Sequence, residues 1–262
     1  MPTIVAVSRE RHADKRWKRY VSHAFASQSS LAPLVAAEIP KAAMAMPLAV
    51  VRQGDDYVPV ALMGLEPARK LLVAPDGRWL GRYVPSVLRG YPFSLLKTQD
   101  NTLVLCIDED SGLVANGHEG EPFFNATGEP ADSLNQIMDF LQQIEKNRAL
   151  TAIACGALAR HALIRPWPIT LKGESGERQL EGIFQVDEAA LNQLPDDAFL
   201  NLRQAAALPI VYCQLLSMQH LAMLGELAAV KAPTPALSKS ASGFVLQDDD
   251  LLQFDWDRFS AR

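Results

Sequence analysis

The chain of 262 residues has few cysteines, and they stand far apart. Cys106, Cys155 and Cys213 each lie among apolar residues, so neither a disulfide framework nor a CxxC metal or redox motif is available. Free cysteine in such surroundings behaves as a small hydrophobic residue. The sequence therefore predicts buried, inert thiols in a reducing compartment.

Long apolar runs and an excess of positive charge are also missing. No run approaches the roughly 18 uncharged apolar residues of a membrane-spanning helix. Near the N-terminus a short apolar run precedes the charges, the reverse of a secretory signal peptide. We therefore expect a cytoplasmic protein without a membrane span. The net charge of −5 disfavours a nucleic-acid partner, which would need a broad basic face.

Local catalytic motifs are absent as well. The five histidines form no HExxH, HxH or HxxxH pattern, the serines no GxSxG elbow, and the glycines no GxGxxG or GxxxxGK[ST] loop. These absences disfavour a zinc site and nucleotide-dependent group transfer. We expect neither a metal nor a cofactor.

Hydrophobic residues make up 48% of the chain and charged residues 21%, which is typical of a globular protein with a core of its own. We predict one domain over residues 1–230, a linker over residues 231–242 and an acidic-aromatic tail over residues 243–262. The linker is rich in serine, proline and alanine. The tail is expected to dock on the body or on a partner, including a second copy of the chain.

The hydrophobic pattern predicts an α+β fold, with an antiparallel β-sheet from the N-terminal half packed with helices from the C-terminal half. Short apolar runs separated by turns predict strands at residues 3–7 and 102–107 and a hairpin or meander over residues 47–73. Pro59 marks its run as an edge strand or a bulge. Apolar spacings of three and one predict a helix over residues 132–147, and the small-residue segment 150–163 also favours helix.

Residues 81–110 combine arginine, tyrosine and proline with an acidic strand end, a mixture that filling a core does not require. Paired arginines hold a carboxylate or a phosphate, tyrosine adds a flat wall and a hydroxyl donor, and a carboxylate binds an amine or acts as a general base. In the structural alternative, the arginines pair with nearby carboxylates to tie a turn to a strand. The candidate ligand-binding residues are Arg82, Tyr83, Arg89, Tyr91, Asp108, Glu109 and, from the N-terminal segment, His12.

Two further segments have competing interpretations. Residues 9–20 interleave basic and aromatic side chains, which is typical either of a phosphate or single-strand surface or of a solvated loop whose Trp17 enters the core. Residues 111–130 are rich in glycine, proline and asparagine and have the length of a binding loop or lid.

A series of sequence motifs resembles that of the bacterial SapC family. In chain order, the matching motifs are Arg11-His12-Ala13, PLAVV, DGRW, RYVP, YPF, LCIDED, GEP before LNQIMDFL, GIFQVDE, LNQLPDDAFLNL and LLSMQHL. The resemblance covers residues 5–224 and implies a bacterial protein. Members of the family often occur beside TonB-dependent receptors, cupin-like oxygenases and flavin-dependent halogenases, and the family name comes from surface-layer systems. The resemblance implies no catalytic residue set.

Three functional hypotheses follow. We favour a non-catalytic accessory protein that recognises a peptide or a small anionic ligand at the surface from Arg82 to Glu109 and serves a neighbouring modifying enzyme or uptake system. The second is an enzyme with Asp108 or Glu109 as general base and His12 brought close to it. The third is a structural protein of a surface layer.

Overall fold

The computed structural model describes residues 3–28, 30–65, 71–100, 102–173 and 176–230. The predicted linker and tail lie outside the described residues. In chain order the strands are β1 (Ile4–Ala6), β2 (Lys15–Trp17), β3 (Leu31–Pro33), β4 (Leu48–Gln53), β5 (Asp56–Leu62), β6 (Phe93–Lys97), β7 (Leu103–Asp108), β8 (Val114–Asn116), β9 (Glu121–Pro122), β10 (Ile164–Pro166), β11 (Ile169–Gly173), β12 (Gly176–Leu180) and β13 (Ile183–Val186). The helices are α1 (Arg9–His12), α2 (Ile39–Ala43), α3 (Ser86–Arg89), α4 (Asp132–Arg160), α5 (Glu188–Leu191), α6 (Asp196–Gln204), α7 (Leu208–Ser217) and α8 (Leu221–Val230). The predicted α+β class is confirmed.

The largest sheet has five strands in the order β10-β13-β4-β5-β3, and every pair in it is antiparallel. The prediction that the Pro59 strand lies at an edge or carries a bulge is wrong, because β5 lies between β4 and β3. The Pro59 carbonyl accepts from the Leu34 N–H at 2.9 Å, directly after β3. The backbone of Pro59 therefore faces the end of β3, where paired strands separate, and its missing N–H removes no hydrogen bond from the β4 ladder.

One long helix replaces the two helical segments that the sequence predicts. Helix α4 runs without interruption for 29 residues, because neither glycine nor proline separates the two segments. Its first half places Leu134 and Leu141 in a cluster with Trp17 and Phe93. Its second half places Leu158 in the main core, against the five-stranded sheet. The middle of α4 therefore lies between two hydrophobic clusters.

The segment 111–130 is not simply a loop. It contributes β8 and β9, which flank β2 in a three-stranded sheet. Trp17, at the end of β2, is only 1% exposed, as expected if the basic segment sends its tryptophan into the core. The two strands thus tie residues 111–130 to the N-terminal segment.

The chain after α4 both extends the main sheet and covers it. Strands β11 and β12 form a hairpin, whereas β13 pairs with β4. Gln214 of α7 accepts a hydrogen bond from the Val186 N–H at 3.0 Å and donates one to the Leu48 carbonyl at 3.2 Å. This buried side chain holds α7 across β13 and β4.

Among the described helices, none alone is long and apolar enough to cross a membrane. The helix α6 and the segment Leu208–Ala228 together reach the required length and apolar character, but the chain bends by 91° between them.

The cysteines are free thiols. Cys106 and Cys155 are buried, as predicted, and Cys213 is half-buried. Burial raises the pKa of the Cys155 thiol to about 12, so this thiol is protonated at neutral pH.

Candidate functional site

A buried carboxylate, that of Glu38, organises the most distinctive polar network. Glu38 ends a 3-10 turn, Ala36–Glu38, and is 4% exposed. Its Oε1 accepts from the Val35 N–H at 3.0 Å and the Ser86 hydroxyl at 2.6 Å. Its Oε2 accepts from the Ser86 N–H and the Tyr83 hydroxyl, both at 2.7 Å. Four donors therefore satisfy a charge that would otherwise be costly to bury.

The Glu38 carboxylate also completes the start of α3. Pro85 precedes this short helix and supplies no side-chain cap. The first N–H groups of a helix have no partner within it, and the Ser86 N–H finds one in Glu38. The segment carrying Tyr83, Ser86 and Arg89 is thereby held against the turn that precedes α2.

A pocket of about 170 Å³ opens to solvent beside this network. Helix α4 lines one wall with a single face, since Phe140, Gln143, Ile144 and Asn147 are spaced by three, one and three residues. Two cationic side chains, Lys41 and Arg89, also line the pocket.

Aromatic rings position the Arg89 side chain. The guanidinium carbon lies 5.7 Å from the centre of the Tyr83 ring and 5.3 Å from that of Phe140. Arg89 Nη2 donates a hydrogen bond of 3.3 Å to the Tyr83 hydroxyl. Burial and the hydrogen bond to Glu38 raise the pKa of Tyr83, so its hydroxyl stays neutral and can donate to the carboxylate. Within the described residues, neither Arg89 nor Lys41 forms an ion pair with a carboxylate.

A second charged group surrounds Glu109. Its carboxylate accepts from the Arg11 guanidinium, with both contacts to Nε at 3.1 Å, and from Lys15 Nζ at 2.6 Å. These two cations lower the pKa of Glu109 to about 2. His12 is fully buried, its Nε2 lies 3.3 Å from Glu109 Oε1, and burial lowers its pKa. A carboxylate with so low a pKa is a weak general base at neutral pH.

A third group joins Asp108 to an aromatic cluster. Asp108 Oδ1 accepts from the N–H groups of Thr3 at 3.1 Å and Asp110 at 3.2 Å. The Tyr91 hydroxyl lies 3.5 Å from Asp108 Oδ2, and the Tyr91 ring stacks on Phe25 at 3.9 Å between centroids. Asp108 therefore anchors the strand end to the N-terminal residues.

The structure thus distributes the predicted site residues over three groups rather than one. Tyr83 and Arg89 line the pocket, Tyr91 belongs with Asp108, and His12 belongs with Glu109. Arg82, expected to act with Arg89, is exposed and does not line the pocket.

The pocket also contains residues that the sequence analysis missed, chiefly Glu38, Ser86 and Lys41. A signal for Glu38 was present. In the run of residues 31–51, LAPLVAAEIPKAAMAMPLAVV, Glu38 is the only acidic residue. A lone carboxylate in such a run is apt to be buried, and a buried carboxylate needs several donors. Nothing in the local sequence indicates that those donors come from residues 83–86.

Comparison with known proteins identifies one family. A family model described as SapC matches residues 7–224, which is most of the chain. Neither the curated proteins nor the solved structures include a match.

Proposed function

The chain belongs to the SapC family, and from the pocket beside Glu38 we propose that it is a non-catalytic binding protein that holds a small anionic group between Lys41 and Arg89. The observation that carries the proposal is an imbalance of charge partners. The pocket's carboxylate already accepts four hydrogen bonds, whereas its two cations have no carboxylate partner among the described residues.

The hydrogen-bonding capacity of the lining favours an acceptor-rich ligand. Arginine carries five N–H donors in a planar fork and lysine carries three. Only one Arg89 donor has a protein partner in the described structure, the Tyr83 hydroxyl. Because a carboxylate or a phosphate offers acceptors only, it complements these donors better than an amine or an alcohol does.

Preorganisation supports the same conclusion. The Arg89 guanidinium already contacts the Tyr83 and Phe140 rings, so less rotamer freedom is lost when an anion binds. The Glu38 network fixes Tyr83 in turn. The low pKa of Glu109 and the occupied Asp108 oxygen support a binding role over general-base catalysis.

The proposal retains an accessory role in the bacterial cytoplasm, in keeping with the expectation from the sequence. The family resemblance and the free thiols support it. A peptide or a free small molecule would supply the anionic group.

The test compares anion binding by the wild type and by Arg89→Met, with sodium acetate as the probe and chemical shifts in NMR spectra as the readout. Methionine preserves much of the apolar stem while removing the charge and all the donors. Loss of a charged hydrogen-bond pair predicts affinity weaker by on the order of tenfold to a hundredfold.

Arg82→Met is the matched control, because Arg82 is exposed, lies seven positions before Arg89 and does not line the pocket. Its acetate affinity should equal that of the wild type. Equal losses in the two variants, or no saturable acetate binding to the folded wild type, would overturn the proposal.

A further inference from the structure

We infer from the walls of the Glu38 pocket that the bound anion is a monocarboxylate with an apolar body about the size of one ring, such as an aryl or branched alkyl carboxylate. The inference rests on the proposed function and specifies its ligand class.

The net charge of the pocket favours a carboxylate over a phosphate. The pocket lining holds two cations, Lys41 and Arg89, and one carboxylate, Glu38, so two less one leaves one net positive charge. A phosphate monoester carries about −1.5 to −2 at neutral pH. A monocarboxylate carries a single negative charge and so balances the pocket without a surplus.

The guanidinium geometry accommodates a carboxylate, as it also accommodates a phosphate, so the net charge distinguishes the two. Arginine recognises a planar carboxylate through two parallel hydrogen bonds. The Arg89 guanidinium lies over the Tyr83 and Phe140 rings and, among the described residues, keeps most of its donors available. A flat anion therefore suits it well.

Three larger apolar side chains, Val35, Phe140 and Ile144, line part of the pocket beside the polar Gln143 and Asn147, and they define the body of the ligand. Val35 and Ile144 are buried, each 8% exposed, and the Phe140 ring lies on the same helical face as Ile144. Water against these three side chains has few polar partners, so an apolar group that replaces it there is stabilised.

The volume sets the size of that group. The pocket measures about 170 Å³, and cavities of about 150 Å³ in proteins accept one benzene molecule. One ring or one branched alkyl chain fits, whereas a two-ring or nucleotide-sized body does not. Because the pocket opens to solvent, the same chemistry is supplied either by a free small acid or by the apolar C-terminal residue of a peptide.

The experiment titrates the full-length protein with acetate, benzoate and inorganic phosphate, again followed by NMR. Benzoate is expected to bind on the order of tenfold more tightly than acetate, because its ring is removed from water. Phosphate is expected to bind more weakly than benzoate. Ala37→Leu, which places a larger side chain at an exposed position of the lining, should weaken benzoate more than acetate.

Two further probes distinguish the sources. N-acetylphenylalanine binding more tightly than benzoate identifies a peptide terminus as the source, and the reverse order identifies a free acid; both orders support the ligand class. The amide of N-acetylphenylalanine lacks the carboxylate and should not bind measurably.

The inference is overturned if phosphate or acetate binds as tightly as benzoate, or if the amide binds as well as the acid. If phosphate or acetate binds as tightly as benzoate, the proposed function still holds, since anions bind. If no anion binds in an Arg89-dependent manner, the proposed function fails as well.

Discussion

Replacing Glu38 with glutamine would test the buried network that shapes the pocket. The amide has nearly the same shape as the carboxylate but presents one NH2 group in place of one oxygen. In one orientation this group faces the Ser86 N–H and the Tyr83 hydroxyl, and in the other it faces the Val35 N–H and the Ser86 hydroxyl. A hydroxyl can rotate and accept, but a backbone N–H cannot. Either orientation therefore leaves one buried backbone donor without an acceptor.

The expected magnitude follows from that single donor. An unsatisfied buried donor costs about 1–3 kcal/mol, so Glu38→Gln should lower the free energy of unfolding by about that amount. Glu38→Ala should cost more, because both backbone donors lose their acceptor. Tyr83→Phe should cost about 1.5–3 kcal/mol, the range for one hydrogen bond to a charged group, and less than Glu38→Ala, since the carboxylate keeps its other three donors.

Urea unfolding at neutral pH, followed by circular dichroism, measures these differences. Glu181→Gln is the control, because Glu181 is exposed, and it should change the free energy of unfolding by less than about 0.5 kcal/mol. If Glu38→Gln is as stable as this control, or if Tyr83→Phe costs more than Glu38→Ala, the four-donor account of Glu38 is refuted.

Two further predictions concern other parts of the fold. Arg11 and Lys15 hold the Glu109 pKa at about 2, below its ordinary value of 4.5. The ionised Glu109 therefore stabilises the folded protein at neutral pH, and this stabilisation is lost as the pH falls from 4.5 to 2. Urea unfolding of wild type and Glu109→Gln should therefore differ at pH 7 and converge near pH 2; a constant difference would contradict the ion-pair explanation. Gly77→Ala and Gly54→Ala both place alanine at a positive φ, of 84° and 64°, at a cost of about 1–2 kcal/mol. Gly77→Ala should cost about 1 kcal/mol more than Gly54→Ala in thermal or urea unfolding. The new Cβ at position 77 would lie 1.9 Å from Ser22 Oγ, which accepts a hydrogen bond from the Ala24 N–H, whereas the space around Gly54 is open. Equal costs would show that Ser22 moves away freely.

Local patterns in the sequence predict much of the fold. Proline favours the first turn of a helix, and α3 begins directly after Pro85. The period of Leu134 and Leu141 predicts the start of α4. The lack of glycine and proline between the two predicted segments explains why the helix continues from the first into the second. These features depend on neighbours within a few turns of the chain. The edge-strand prediction for Pro59 is wrong because β3, which pairs with that side of β5, lies far away in the sequence.

The sequence by itself determined the α+β class and the membership of the family, because periodicity, apolar content and motif order are all read along the chain. The burial of Trp17 was one of two alternatives that the sequence left open. The sequence also identified Tyr83 and Arg89 as candidates. Only the tertiary structure decided their partners: Glu38 reaches Ser86 across 48 positions, and Arg11 reaches Glu109 across 98. A hydrogen bond depends on distance and direction in space, and no spacing along the sequence encodes either between segments so far apart.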